Sequence, residues 1–88
     1  MTWTIEFDNR ARKELRKLDP DVQKRILDWI TDHLAECTDP RETGSALKGT
    51  LKGLWRYRVG DYRIVTRIED DKILILILRI AHRREVYD

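Results

Sequence analysis

Leu54-Trp55-Arg56-Tyr57-Arg58-Val59, then Gly60-Asp61, then Tyr62-Arg63-Ile64-Val65-Thr66-Arg67-Ile68 is the segment on which the fold turns. Two runs rich in β-branched and aromatic residues flank a short polar break, which predicts a hairpin. Successive side chains of a strand point to opposite sides. Trp55, Tyr57 and Val59 therefore share one face of the first strand, and Leu54, Arg56 and Arg58 the other. On the second strand Tyr62, Ile64, Thr66 and Ile68 oppose Arg63, Val65 and Arg67. If other elements cover the aromatic face, Arg56, Arg58, Arg63 and Arg67 crowd the opposite one. Like charges at such range repel unless an anion lies among them, so the pattern indicates a site more than a stabilising device.

Toward the C-terminus, Glu69 to Lys72 form a second turn, and Ile73 to Ile80 are apolar on both faces except at Arg79. A strand of that kind belongs in the centre of a sheet. Toward the N-terminus, Trp3, Ile5 and Phe7 alternate with polar residues as a half-buried strand does. Asp8 can cap a helix to about Leu18, with Ala11, Leu15 and Leu18 on one face and Arg10, Arg12, Lys13, Arg16 and Lys17 around the rest. Asp19 and Pro20 start a second helix, in which Val22, Ile26, Trp29, Ile30, His33, Leu34 and Cys37 follow at helical spacing. From Thr38 to Gly53 the glycines and Pro40 read as loop, with Ala46 and Leu47 inserted into the core. The expectation is an α+β fold over residues 1–88 as a single domain: an N-terminal strand and a helical hairpin packed on an antiparallel sheet that ends in a three-strand meander.

Composition narrows the function. The 88 residues, 41% hydrophobic, make one small domain that buries about two-thirds of its unfolded surface. Cys37 is the only cysteine, and no Cys/His cluster offers zinc ligands, so neither an internal disulfide nor a structural metal is expected. The first residues resemble neither signal peptide nor anchor, and the one long apolar run is too short to span a bilayer. An intracellular setting fits best. Charge is uneven: residues 1–46 hold 8 Lys and Arg against 10 Asp and Glu, whereas residues 47–88 hold 10 against 6. Between residues 47 and 67, Lys48, Lys52 and the four arginines face a single acid, Asp61. A polyanion is the natural partner of such a stripe.

The final segment, Arg79-Ile80-Ala81-His82-Arg83-Arg84-Glu85-Val86-Tyr87-Asp88, leaves the central strand beside this surface and can add His82, Arg83 and Tyr87 to it. The run from Leu54 to Ile64, the strand Ile73 to Ile80, the ending His82-Arg83-Arg84-Glu85-Val86-Tyr87 and the early Phe7-Asp8, Ala11, Lys13, Leu15 and Lys17-Leu18 pattern resemble the RelE toxins of bacterial toxin–antitoxin pairs. The resemblance implies a ribosome-dependent endoribonuclease that cleaves messenger RNA in the decoding site without a metal or other cofactor. Its functional positions fall on Arg56, Arg58, Arg63, Arg83 and Tyr87. Planar guanidinium forks at Arg56 and Arg63 suit phosphate oxygens, and Arg58 adds charge near the attacking hydroxyl. Tyr87, whose phenol starts from a pKa of about 10, is the proton acceptor, helped by neighbouring arginines. Arg83 serves the leaving oxygen, although an arginine is a poor acid. Several relatives carry lysine where this chain has Arg56 and Arg58, so general-base work rests on Tyr87. Lys48, Lys52, Arg67, His82 and Arg84 are the further RNA-binding candidates.

The resemblance implies as partners a cognate RelB-like antitoxin and the 70S ribosome with its mRNA and rRNA, in a bacterial or archaeal cytoplasm, with no membrane. Two other readings stay open: a ParE-type toxin directed at DNA gyrase, and a non-catalytic RNA-binding module whose arginines only neutralise phosphates. The tryptophans, Tyr57 and Tyr62 occupy core positions by alternation, and His33 the edge of a core face.

Overall fold

The structure is a computed structural model, and it describes residues 2–85. Strand β1 (Thr4–Phe7) leads into helix α1 (Asn9–Arg16), where the Asp8 side chain accepts a hydrogen bond from Arg10 N at 3.1 Å. That bond satisfies one of the open N–H groups of the first turn. Helix α2 (Pro20–Ile30) starts on Pro20, whose missing N–H costs nothing there, and continues through a π-helical turn at Thr31–Ala35. Residues 36–54 hold a two-residue strand β2 (Ser45–Ala46) and a 3-10 turn (Gly49–Leu51). Then come β3 (Trp55–Val59), β4 (Tyr62–Glu69) and β5 (Leu74–His82), followed by a 3-10 turn at Arg83–Glu85.

The five strands form one sheet in the order β1-β5-β4-β3-β2. The meander is antiparallel as expected, but β1 runs parallel to β5, Thr4 pairing with Leu74 and Phe7 with Ile77. The sheet is therefore mixed. With β1 and β4 on either side, β5 is interior, which accounts for its nearly unbroken apolar sequence.

Both helices lie on one face. Ala11 and Leu15 of α1, Ile26 and Ile30 of α2 and Leu34 pack with Trp3, Tyr57, Val59, Ile64, Ile75, Ile77 and Ile80. Each fully buried isoleucine among them contributes roughly 1.5–3 kcal/mol relative to exposure. Tyr57 donates its hydroxyl to Pro40 O, and Thr66 satisfies its buried hydroxyl on Trp55 O at 3.0 Å. His33 is exposed, its ring stacked on Trp29 at 4.6 Å and its Nδ1 3.0 Å from Trp29 O.

Two expectations for residues 38–53 change. Ala46 is exposed in the edge strand β2, and Leu47 is buried against the other side of the sheet, outside the helix-side core. Gly44 permits this path: its φ is +81°, and a Cβ there would stand 2.3 Å from Arg56 O. Among the described residues, no helix is long and apolar enough to cross a membrane.

Candidate functional site

The open face of the sheet carries the arginines in rows. Arg58 of β3 lies directly opposite Arg63 of β4, which lies opposite Ala81 of β5. In the next row Ser45, Arg56, Val65 and Arg79 follow one another across four strands. Directly opposed like charges destabilise a sheet. Among the described residues, neither Arg58 nor Arg63 makes a side-chain hydrogen bond or ion pair. Arg56 is oriented by Ser45, whose Oγ accepts from its guanidinium at 3.3 Å. Lys48 joins Arg56 in lining a depression of about 430 Å³.

This face is not purely cationic. The chain from Leu47 to Leu54 folds over it, so that Leu47, Leu51 and Leu54 meet Val65, Leu78 and Ala81 around a cleft of about 230 Å³ rimmed by Arg10 and Arg79. Val65, which alternation places among the arginines, is thereby buried. Arg58, at the free edge of β3, also borders a groove of about 600 Å³ against α2.

The remaining candidates fall in three positions. Arg83 stands just past β5, its N–H donating to Asp61 O at 2.7 Å and its guanidinium 3.9 Å from the Asp61 carboxylate. Asp61, the lone acid of the basic stretch, thus sits at the β3–β4 turn beside Arg83. Arg67 lies farther along β4, opposite Leu76, and pairs with Glu69 at 3.5 Å. Four residues of strand separate it from Arg63 by about 13 Å, which puts it outside the cluster. Lys52 and Arg84 are exposed, and Tyr87 lies outside the described residues.

His82 requires a correction. It pairs with Tyr62 and its ring meets the Tyr62 ring edge-on at 5.4 Å, so it faces the helices and not the arginines. The cause is a register shift: Thr66 pairs with Ile77 but Val65 with Arg79, leaving Leu78 as an extra residue in β5. One added residue exchanges the two faces for everything downstream. Without that extra residue His82 would lie on the open side, where its place at the end of the central strand led it to be expected.

Sequence reasoning also overlooked Ser45 and Glu14. Ser45 belongs to a strand too short to announce itself. Glu14 binds Arg79, and its signal was Arg79 itself, a lone charge in an apolar strand that needed an acid somewhere.

Fold and face together define a class: a small α+β protein with helices on one side of its sheet and arginines around an apolar cleft on the other. Comparison with known proteins gives that class its family. The family model described as the ParE toxin of type II toxin-antitoxin systems, parDE, matches residues 5–87. Toxin RelG of Mycobacterium tuberculosis (strain ATCC 25618 / H37Rv) is 32% identical over 87 residues, covering 99% of this chain and 98% of that protein. The mRNA interferase toxin RelE of Escherichia coli (strain K12) is 28% identical over 91 residues, covering 99% and 92%. The crystal structure of the toxin-antitoxin complex RelBE2 from Mycobacterium tuberculosis contains a chain that matches with a TM-score of 0.85 and 31% identity, over 94% of this chain and 100% of that one. The chain belongs to the RelE/ParE superfamily of toxins from type II toxin-antitoxin systems.

Proposed function

We propose that the protein is a ribosome-dependent mRNA endoribonuclease held in check by a cognate RelB-like antitoxin. The single observation that supports it best is the Arg58–Arg63 pair, set directly opposite each other and, among the described residues, paired with no acid. The sheet tolerates this repulsion where a phosphate is to sit. The name mRNA interferase borne by the Escherichia coli relative supports the same activity, and the crystallised RelBE2 complex supports the antitoxin.

In this reading the mRNA's own 2′-OH attacks the adjacent phosphorus. The P–O5′ bond breaks, leaving a 2′,3′-cyclic phosphate and a 5′-hydroxyl. Arg56, steadied by Ser45, and Arg63 hold the phosphate oxygens, and Arg58 supplies charge beside them. Tyr87 accepts the 2′-OH proton, and Arg83 meets the departing oxygen. Guanidinium groups stabilise charge well but yield protons poorly, so the isolated protein is a feeble nuclease and depends on the ribosome to align its substrate. Lys48, Lys52 and Arg84 contact flanking phosphates.

Toe-printing of translating ribosomes tests this. Wild-type protein is expected to create new mRNA ends within the decoding-site codon, and Tyr87→Phe to reduce them at least about 100-fold. Equal growth arrest by both proteins with intact mRNA would overturn the reading. The ParE description of the matching family model favours a second reading, inhibition of DNA gyrase. Accumulation of cleaved DNA–gyrase complexes on expression would establish it in place of the first. Salt-sensitive RNA binding without cleavage would leave a non-catalytic module.

A further inference from the structure

Ile75 and Ile77 of β5 point at the helices, and uninterrupted alternation would send Arg79 into the same apolar layer. The extra residue at Leu78 prevents this, and Leu78 and Arg79 both line the cleft on the open face. Beyond the shift, Ile80 lies opposite Ile64 and returns to the core, while Ala81 takes the place beside Arg63. The shift thus puts a methyl group, not an isoleucine, next to the phosphate-holding arginine, and it fixes where the chain emerges at Arg83.

Something must hold an irregular strand at an open edge. β1 accompanies β5 only as far as Ile77, so the N–H of Ile80 faces no strand. Glu14, on α1, fills the gap. Its Oε1 accepts from Ile80 N at 2.8 Å, and its Oε2 takes Arg79 Nε at 3.0 Å and Nη2 at 2.9 Å. Arg10, one helical turn earlier, stands 3.9 Å from the same carboxylate. The side chains of Arg79 and Glu14 are only 18% and 22% exposed, so this is a forked, largely shielded pair, not a solvated surface bridge.

We propose that Glu14 is a positioning residue whose carboxylate locks the β5 bulge and so sets the geometry of Arg63, Ala81 and Arg83. Its functional half rests on the RNA-cleavage reading above; its structural half does not. Glu14→Gln is the test, because it keeps an oxygen for Ile80 N and removes the charge that holds Arg79. Amide exchange at Ile80 should accelerate at least about tenfold, with Ile64 and Ile75 unchanged. On ribosome-bound mRNA, kcat should fall about tenfold at unchanged KM, the mark of lost transition-state alignment and not of lost binding. Unchanged exchange at Ile80 would overturn the lock, and accelerated exchange with wild-type kcat would overturn the positioning role. Should Glu14→Gln unfold, Arg79→Lys, which keeps the charge and loses the fork, takes both measurements with the same expectations. If wild-type protein leaves mRNA intact, the nuclease reading falls, and exchange at Ile80 alone decides the lock.

Discussion

If Arg63 holds a phosphate, as proposed, it sits where stability and function pull in opposite directions. It faces Arg58 across the strand pair, a placement that costs the folded protein a few tenths of a kcal/mol to about 1 kcal/mol. Arg63→Gln is therefore expected to raise stability by about 0.5 kcal/mol in chemical denaturation while cutting mRNA cleavage about 100-fold. A variant that lost both would mark Arg63 as a structural residue. Arg41 and Asp70 illustrate the opposite arrangement. Their forked pair, with both contacts at 3.0 Å, ties the loop before β2 to the turn before β5. The Arg41 hydrogen bond holds the Asp70 carboxyl below its ordinary pKa. A depressed carboxyl contributes stability that is complete above the unfolded value, about 4, and is lost as pH falls through the folded one. Asp70→Asn should accordingly lower stability in the neutral region and leave the most acid end nearly unchanged, which flattens the acid limb of the profile, as urea titrations from about pH 2 to 7 would show.

Elements of this fold begin and end for local reasons that differ in strength. Asp8 and Asp19 precede the two helices with similar extended backbones, yet only Asp8 caps through its side chain. Asp8→Ala should cost about 1 kcal/mol and Asp19→Ala less than half of that, a difference readable from paired denaturation midpoints. Gly44 matters for a different reason. A methyl group there meets the β3 backbone at Arg56 and the Trp55 indole at 2.7 Å, so Gly44→Ala should detach β2 and with it the Ser45 bond to Arg56. Loss of stability together with weakened RNA binding is the expected result. The start of β5 also departs from the sequence pattern. Ile73, apolar and β-branched, reads as the first strand residue, but it occupies the left-handed region with φ +49° and closes the turn at Asp70–Lys72. Packing against the core and the acceptance of Thr4 N–H by its carbonyl at 2.9 Å hold it there.

Across the whole molecule, one face of the sheet is devoted to the core and the other is divided between an apolar cleft and cations. If this surface binds RNA, as proposed, the affinity should carry a salt dependence set by the number of phosphates it neutralises. If Arg56, Arg58 and Arg63 each neutralise one phosphate, log affinity for a single-stranded RNA should fall with log salt at a slope of about −2, and Lys48→Gln should reduce any steeper slope by about 0.7. A slope near zero would remove phosphate from the account. Of the exposed basic side chains of α1, Arg10 borders the cleft and adds its charge to the same field.

Local periodicity, with the capping residues, placed the hairpin, both helices, most of the helix-side core and the facing of Arg56, Arg58 and Arg63, because each of these follows from a period of two or of 3.6 within a few neighbouring residues. The parallel pairing of β1 with β5 depends on contacts some 70 residues apart, which no local period encodes. The burial of Val65 beneath Leu47, Leu51 and Leu54, and the turning of His82 toward Tyr62, required the third dimension for the same reason. A covering loop and a single added residue leave the apolar pattern of a strand intact while changing what that pattern faces. Arg79 offered the one legible warning, a charge that could remain in an apolar strand only if the strand shifted to meet an acid.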